Sequence, residues 1–540
     1  MKKILFSAMS LVALGAMAQE TYEGAQLATQ DLNGTAKYIG MGGAMEALGA
    51  DISTINSNPA GIGLFRRSWI GASAGFTSQS SDFDGLKNMA SLDSKTKTNA
   101  DFNQIGFVWT NKTGSDSYIN LAFNFQKSRN FNQIMQAVNY LPVDQYGSSV
   151  TKMNPMKAWA GSQSYTLQDG LIDEVVSSQL GGTVDDPLFS AADMYAAQHE
   201  NEGYIGNYNF NISGNIHDRI YLGATLGVKD VHYSSRSIYD ETLIDGNNDP
   251  RGQFGFTDDR HITGTGFDVK LGAIFRPIED SPFRFGLYIN TPTWYELTCT
   301  SDMSAAAGLN DKGISYNRNT DGSWFTYKYC LHTPWRFGLS VGHTFGRMVA
   351  VGATYEYADY SAIKSRIVEG SYINYYGDES LETSKDRQMD RNTEQALKGV
   401  SLLKLGMEIK PVPEVAIRIG YNYQGAIYKK DGLKSPYINT DIDYGSVGAY
   451  YSTYDYINWD ATNRLTFGLG FDLGNQWALD LSYQYATQKG TYYPFVSGEV
   501  SYDYTDGAGV TTEEYDRNVG TPTVVHNNRH QLNATLSYRF

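Results

Sequence analysis

The chain is poor in cysteine, has no long apolar run beyond its first residues, and carries no excess of positive charge. Its 540 residues include two cysteines, Cys299 and Cys330, too few for a disulfide framework. No later segment approaches the about 18 consecutive apolar residues that a membrane-crossing helix needs. Any passage through a bilayer must therefore be made by strands closed into a barrel. The 43 Lys and Arg are outnumbered by 58 Asp and Glu, which argues against nucleic acid or anionic lipid as a partner, since both call for a basic patch. The acidic residues lie mostly in loop-like segments and read as a solvated surface. The eight histidines form no HExxH, no Cys/His cluster and no nucleophile elbow. Nothing brings together a nucleophile, a base and an orienting group, so the reading is of a non-enzyme with no catalytic residues, no metal and no cofactor. Asp245-Gly246-Asn247-Asn248-Asp249 begins like a calcium loop, but Pro250 stands where glycine is needed and the distal Glu is missing. It reads as a turn.

What is present begins with an export signal. Lys2 and Lys3, the apolar stretch Ile4 to Leu14, and Ala16-Met17-Ala18 have the order of a cleavable signal peptide over residues 1–18. Removing the two lysines leaves 41 basic against 58 acidic residues, a net charge of −17. Export places Cys299 and Cys330 where a disulfide can form; they flank one loop, and spacing alone leaves a bridge and two free thiols both open.

From Ser68 onward the chain alternates apolar and polar residues over about ten positions at a time, as a wall between lipid and a wet lumen requires. Tyr208, Phe210, Ile212 and Ile216 alternate with Asn207, Asn209, Asn211, Ser213 and Asn215. Ile220, Leu222, Ala224, Leu226 and Val228 repeat the pattern, as do Leu465, Phe467, Leu469, Phe471 and Leu473. Short turns near Thr113-Gly114, His217-Asp218, Gly346-Arg347 and Gly474-Asn475 alternate with long segments at 131–203, 238–260, 299–321, 362–396, 430–460 and 491–526. The count is fourteen strands, with Trp324 to Phe345 taken as one strand kinked at Thr333-Pro334. An even count puts both ends of the barrel on the periplasmic side. The last strand ends on Phe540, a form that resembles the signal read by the barrel assembly machinery. Trp69, Trp109, Trp294 and Trp477 read as an interfacial girdle. Charges on the polar faces, among them Lys270, Arg276, Arg284, Arg336, Lys404, Glu408, Lys410, Arg418, Asp472 and Asp480, read mainly as ion pairs that brace the lumen. The other reading is that lumen cations meet a substrate carboxylate.

Two segments break the pattern. Residues 19–67 precede the barrel 68–540; within them the stretch from Asn33 on is rich in Gly and Ala, with the turn Asn58-Pro59-Ala60-Gly61, and reads as a plug packed inside the barrel, the plainer alternative being an ordinary N-terminal arm. Arg66 and Arg67 read as a plug-to-wall salt bridge at the periplasmic rim. Within 131–203, Phe131, Ile134, Met135 and Val138 have helical spacing, as do Leu171, Ile172, Val175, Val176 and Leu180, with Met194 and Tyr195 in a third candidate helix. The expectation is a helical lid with an apolar groove, or a self-packed loop domain.

Gly40-Met41-Gly42-Gly43-Ala44, then Asp51, then Asn58-Pro59-Ala60-Gly61 resemble the N-terminal hatch of the FadL/TodX family of outer-membrane transporters, in the form found in Bacteroidetes-type members. Thr333-Pro334-Trp335-Arg336-Phe337-Gly338 and Leu405-Gly406-Met407-Glu408 add a looser likeness. The resemblance implies a fourteen-stranded antiparallel transmembrane β-barrel in the bacterial outer membrane. It implies uptake of a hydrophobic small molecule or lipid, such as a long-chain fatty acid, by hatch movement and lateral diffusion into outer-membrane lipid. Asn58 and Pro59 would carry the hatch turn. The alternative is a barrel that docks proteins during secretion or at the cell surface.

Overall fold

Alternation forces each strand to turn one face to lipid and one to the lumen, and only a closed sheet leaves no unpaired edge in the bilayer. The computed structural model describes residues 21–87, 96–141, 192–244, 249–309, 317–318, 325–373, 379–434, 455–494, 498–505, 511–518 and 521–540. Fourteen antiparallel strands make the wall. They are β1 (Trp69–Asp84), β2 (Thr96–Lys112) and β3 (Tyr118–Asn130, continued by Gln133–Tyr140). Next come β4 (Ala192–Ile216), β5 (Ile220–Ile244), β6 (Pro250–Phe275) and β7 (Arg284–Asn290 and Trp294–Leu309). β8 (Phe325–His332 and Arg336–Phe345), β9 (Val349–Asp359 and Lys364–Ile373) and β10 (Glu379–Lys385 and Gly399–Val412) follow. β11 (Val415–Gln424), β12 (Tyr456–Gly474), β13 (Trp477–Tyr493) and β14 (Thr523–Arg539) complete the series. The ring closes where β14 pairs with β1, from Trp69↔Arg539 to Asp84↔Val524.

The strand count and parity agree with the sequence. Phe210, Ile212, Leu222 and Leu226 face outward, while Asn207, Asn209, Asn211 and Asn215 are buried inside. On β5 the apolar outer face runs from Ile220 to Val228, a band roughly 25 Å tall or slightly less for tilted strands. Aromatic pairs mark its ends: Trp477 and Tyr538 lie 4.9 Å apart at one, Phe267 and Trp294 5.0 Å apart at the other. Trp69 departs from the girdle reading; it is buried and packs inward on Phe65.

Thr333-Pro334 is a kink within one strand, as the sequence pattern requires. The break lies beside a second one, Thr291-Pro292-Thr293, and side chains repair the ladder that proline interrupts. The Thr333 N–H donates to the Thr293 carbonyl (3.1 Å), the Thr293 N–H to the Thr333 hydroxyl (2.8 Å), and the Val269 N–H to the Thr291 hydroxyl (3.0 Å).

The outer half differs from the expectation of long loops. β4, β5 and β6 run 25, 25 and 26 residues and continue far beyond the apolar band. The helix expected over Phe131, Ile134, Met135 and Val138 is strand, paired with β4 from Gln133↔Asn201 to Tyr140↔Met194. Met194 and Tyr195 are strand as well. Residues 134–138 are buried on both faces, and a strand buried on both faces yields a continuous apolar run that mimics helical spacing. Leu171, Ile172, Val175, Val176 and Leu180 lie outside the described residues, as does most of the 245–249 turn. Cys299 and Cys330 are free thiols. Cys299 stands opposite Tyr327 and Cys330 opposite Glu296; the odd offset turns the two side chains to opposite faces of the sheet, so no bridge joins them.

Candidate functional site

The lumen is occupied by the chain's own N-terminal segment. Helix α1 (Thr21–Ala28), helix α2 (Ala36–Gly40) and two 3-10 turns, Ile52–Asn56 and Pro59–Leu64, are almost wholly buried. The short apolar and glycine-rich sequence favours tight turns that local side chains cap. The Thr35, Asp51 and Asn58 side chains accept from the N–H groups of Tyr38, Ser53 and Ala60.

The four candidate turn residues lie together against the wall. The Asn58 amide is aimed at the Ala273 carbonyl (3.5 Å), and the Ser213 hydroxyl donates to the Pro59 carbonyl (2.8 Å). A methyl group on Gly272 or Gly223 would collide with Asn58 or Pro59. Ala60 packs beside Tyr221 and Ile274, and the Gly61 carbonyl accepts from Ala50 N–H.

On the other side of the lumen a row of wall glycines does the same work. Gly342, Gly352, Gly406 and Gly420 are register partners across β8, β9, β10 and β11. Side chains there would meet Leu48, Ala44, Met41 and Gly42 of the plug. The sequence held this signal as glycine at inward positions of alternating strands, but only register shows that the four form one row.

Charges inside the lumen are mostly paired. Lys404 meets Glu46 at 2.6 Å, Arg418 meets Glu408 and Asp480 each at 2.6 Å, and Arg336 meets Glu356 at 3.1 Å. Lys270 pairs with Asp268, which also meets Lys229 at 3.1 Å. Lys410 lies 3.9 Å from Glu408. Arg284 donates to the Leu48 carbonyl, Arg276 braces its own turn through the Ser281 and Glu279 carbonyls, and Asp472 caps its turn at Gly474. At the rim Arg66 reaches Asp218 at 2.5 Å, while Arg67 is exposed.

Helix α1 stands higher in the lumen. Tyr22 stacks on Tyr428 at 4.9 Å and donates to Asn458 Oδ1 at 2.7 Å; Glu23 pairs with Arg260 at 2.6 Å.

The wall has a discontinuity that the sequence pattern does not reveal. β2 pairs with β1 as far out as Thr96, but its ladder with β3 stops at Gln104↔Gln126. Among the described residues, Lys97 to Asn103 thus have no strand partner on the β3 side. Beyond Gln126, β3 pairs with β4 alone and its continuation turns into the lumen. There the Gln79 side chain, inward from β1, holds Ile134 by both amide atoms, accepting from N–H at 2.8 Å and donating to the carbonyl at 3.0 Å. The mouth of the gap is crossed by Lys97, 2.7 Å from Glu200 and 2.6 Å from Glu202. Phe102 and Phe125 stack on its lower lip at 6.1 Å.

Next to the gap, which it meets at Asp101 and Arg129, lies a polar cavity of about 100 Å³, lined also by Asp31, Arg464, Arg529 and Trp459. A second of about 70 Å³ shares Asp31 and Arg464 and reaches Asn56 and Ser57 of the plug. Sequence reasoning missed Asp31, Arg129, Arg464 and Arg529; each is an isolated charge in the chain, and only barrel closure brings them together.

No protein-family model and no curated protein matches the chain in sequence. In fold it is similar to the toluene transporter TbuX of Ralstonia pickettii, at 12% identity over 94% of this chain and 99% of that one, with a TM-score of 0.45. It is also similar to a Pseudomonas aeruginosa FadL homologue (11% identity, 95% and 100% of the two chains, TM-score 0.47). A third is the Pseudomonas putida toluene transporter TodX (12%, 94% and 99%, TM-score 0.44).

Proposed function

We propose that this chain is an outer-membrane uptake channel of the FadL/TodX type, taking hydrophobic compounds such as long-chain fatty acids through a hatch-gated lumen and a lateral exit. The observation that carries the reading is the gap between β2 and β3 above a lumen filled by residues 21–65. A barrel that only anchored other parts would have no reason to leave one side of the outer part of a wall strand, Lys97 to Asn103, without a ladder among the described residues, because an unsatisfied ladder in or near the bilayer costs several kcal/mol, roughly, per group. An apolar solute gains from a route that opens sideways into lipid, since a water-filled pore offers it nothing.

In this reading the two lumen cavities are too small for an acyl chain, and the described conformation is the closed one. The ligand enters from the outside, displaces part of the N-terminal segment, and leaves between β2 and β3. Asn58 and Pro59 hold the hatch on β4 to β7. The test is uptake of a labelled long-chain fatty acid by cells with the gene, without it, and with Asn58→Ala and Pro59→Ala together. Uptake that falls in both altered strains while the barrel still assembles supports the channel. Uptake that is equal in all three removes it.

A second reading, a barrel that docks secreted or surface proteins, has one observation in its favour. The wall continues well outside the apolar band, and a separate hairpin, Gly498–Thr505 paired with Thr511–Asn518, stands apart from the barrel sheet. A stable co-purifying protein lost on deletion of 498–518, with uptake unaffected, would favour it.

A further inference from the structure

The acidic chain encloses a basic chamber. In the cavity behind the gap, Arg129 Nη1 donates to Asp31 Oδ1 at 2.8 Å, and Arg529 Nη1 lies 3.8 Å from Asp31 Oδ2. Arg464 is buried; its guanidinium reaches amide oxygens, Asn422 at 2.9 Å and Gln424 at 3.3 Å. Asp101 is held by Lys127 at 2.5 Å and by Asn130, and Asp460 stands exposed at the rim. With Asp101 answered by Lys127, two guanidinium groups meet the half-buried Asp31 and the third, Arg464, meets only amide oxygens among the described residues. The Nε atoms of Arg129 and Arg529 are buried with no hydrogen-bond partner. Buried positive charge left over in this way is costly unless something neutralises it. The remaining lining is rich in amides, with Gln26, Gln79, Gln133, Gln484 and Gln531 around the floor.

We propose that this chamber binds a compact, doubly charged oxyanion of the phosphate-monoester kind, by bidentate contact with Arg464 and Arg529. Guanidinium forks match such oxyanions in geometry and charge. With Lys127 set against Asp101 and the exposed Asp460 left to solvent at the rim, Arg129, Arg464 and Arg529 against Asp31 leave an excess of two positive charges, which sets the preferred ligand charge, and a cavity of about 100 Å³ accepts a headgroup rather than an acyl chain. The inference rests on the channel reading only for the way the ligand arrives.

The test is calorimetric titration of the full mature protein in a neutral maltoside detergent at pH 8, where a phosphate monoester is doubly charged. The probes are dodecyl phosphate, dodecanoate, dodecanol and inorganic phosphate. Dodecyl phosphate is expected to bind at least about tenfold tighter than dodecanol, with Arg464→Gln losing about tenfold of that affinity. Asp31→Asn removes the competing carboxylate and is expected to tighten binding, a gain no folding defect can mimic. Arg276→Gln, in a turn far from the chamber, should change nothing. Inorganic phosphate that binds as well as dodecyl phosphate assigns the site to a free oxyanion; dodecyl phosphate binding alone assigns it to an amphiphile's headgroup. Equal binding of dodecyl phosphate and dodecanol, unmoved by either chamber variant, overturns the inference. The channel reading is tested apart, by gene-dependent uptake of dodecanol, and can stand when the anion site falls.

Discussion

Lys404 Nζ on the barrel wall stands 2.6 Å from Glu46 Oε1 in the plug, and the glutamate is fully buried. The Tyr38 hydroxyl donates to the same carboxylate at 3.0 Å, and the Thr354 hydroxyl to its other oxygen at 2.8 Å. The plug is thereby tied to the wall through a buried carboxylate whose two oxygens are both hydrogen-bonded.

Removing one member of a buried pair leaves the other uncompensated, at a cost of about 3–5 kcal/mol. Glu46→Ala is therefore expected to loosen residues 36–65 without opening the barrel sheet. Limited proteolysis should cut within that segment, and ion conductance across a planar bilayer should rise. Glu46→Ala combined with Lys404→Met should recover much of the protection, since no charge is then left alone. Equal protease resistance in the wild type and Glu46→Ala would show that the pair does not hold the plug.

The glycine row makes a different prediction. Gly420 faces Gly42 and Met41, and Gly406 faces the Met41 carbonyl, at separations that leave no room for a methyl group. Gly420→Ala is expected to push the plug off β10 and β11 at an overpacking cost of about 1–3 kcal/mol. Gly346→Ala is the contrast on local packing, because nothing lies near that position, although its positive φ adds backbone strain. The check is hydrogen exchange: amides of residues 40–44 should lose protection in the first variant and keep it in the second.

Much of this architecture was legible because a lipid-facing wall must alternate. Leu222, Leu226, Phe467 and Leu469 could face only one way, and the strand count follows from them. That the N-terminal segment is not a wall strand was legible from its composition, since small residues and the Asn58-Pro59 turn fit no strand. Three things were hidden. Residues 134–138 read as a helix because both faces of that strand are buried, which erases the period of two. The break between β2 and β3 leaves no mark in either strand's pattern, because hydrogen-bond pairing is not written in side-chain polarity. The meeting of Arg129 and Arg529 on Asp31, in a cavity that Arg464 also lines, depends on closure of β14 onto β1, across more than four hundred residues of chain.

Outside the apolar band, Glu241 is buried beside Tyr239, Tyr195 and Phe254; its Oε1 accepts from the Tyr239 hydroxyl at 2.9 Å and its Oε2 has no partner. Burial pushes this carboxyl up to about 8, against a lowering from the Tyr239 hydrogen bond. A folded state that holds the proton more tightly than the unfolded chain loses stability as pH rises from the ordinary glutamate value, about 4.3, through the raised one. The thermal midpoint of the purified barrel is thus expected to fall between pH 5 and pH 9. Glu241→Gln should flatten that slope, matching the wild type near pH 5 and exceeding it at pH 9. Parallel pH profiles for the two proteins would rule out Glu241 as the source.

The gap itself can be closed by chemistry. Lys97 of β2 and Glu200 of β4 face each other across its mouth at 2.7 Å. An exposed or half-exposed ion pair of this kind adds only about 0–1 kcal/mol, so replacing it should not harm assembly. In Lys97→Cys combined with Glu200→Cys, a short bismaleimide would join the two strands. If solute leaves between β2 and β3, cross-linked cells should lose fatty-acid uptake while the same cells without reagent retain it. Either single-cysteine variant should retain uptake with reagent present, which separates bridging from simple modification. Uptake that survives the cross-link would send the exit elsewhere, and the two proline breaks at Pro292 and Pro334 would be the next part of the wall to lock. There, hydroxyls of Thr291 and Thr333 complete the ladder, so a route through them would have to break bonds that the gap between β2 and β3 never makes.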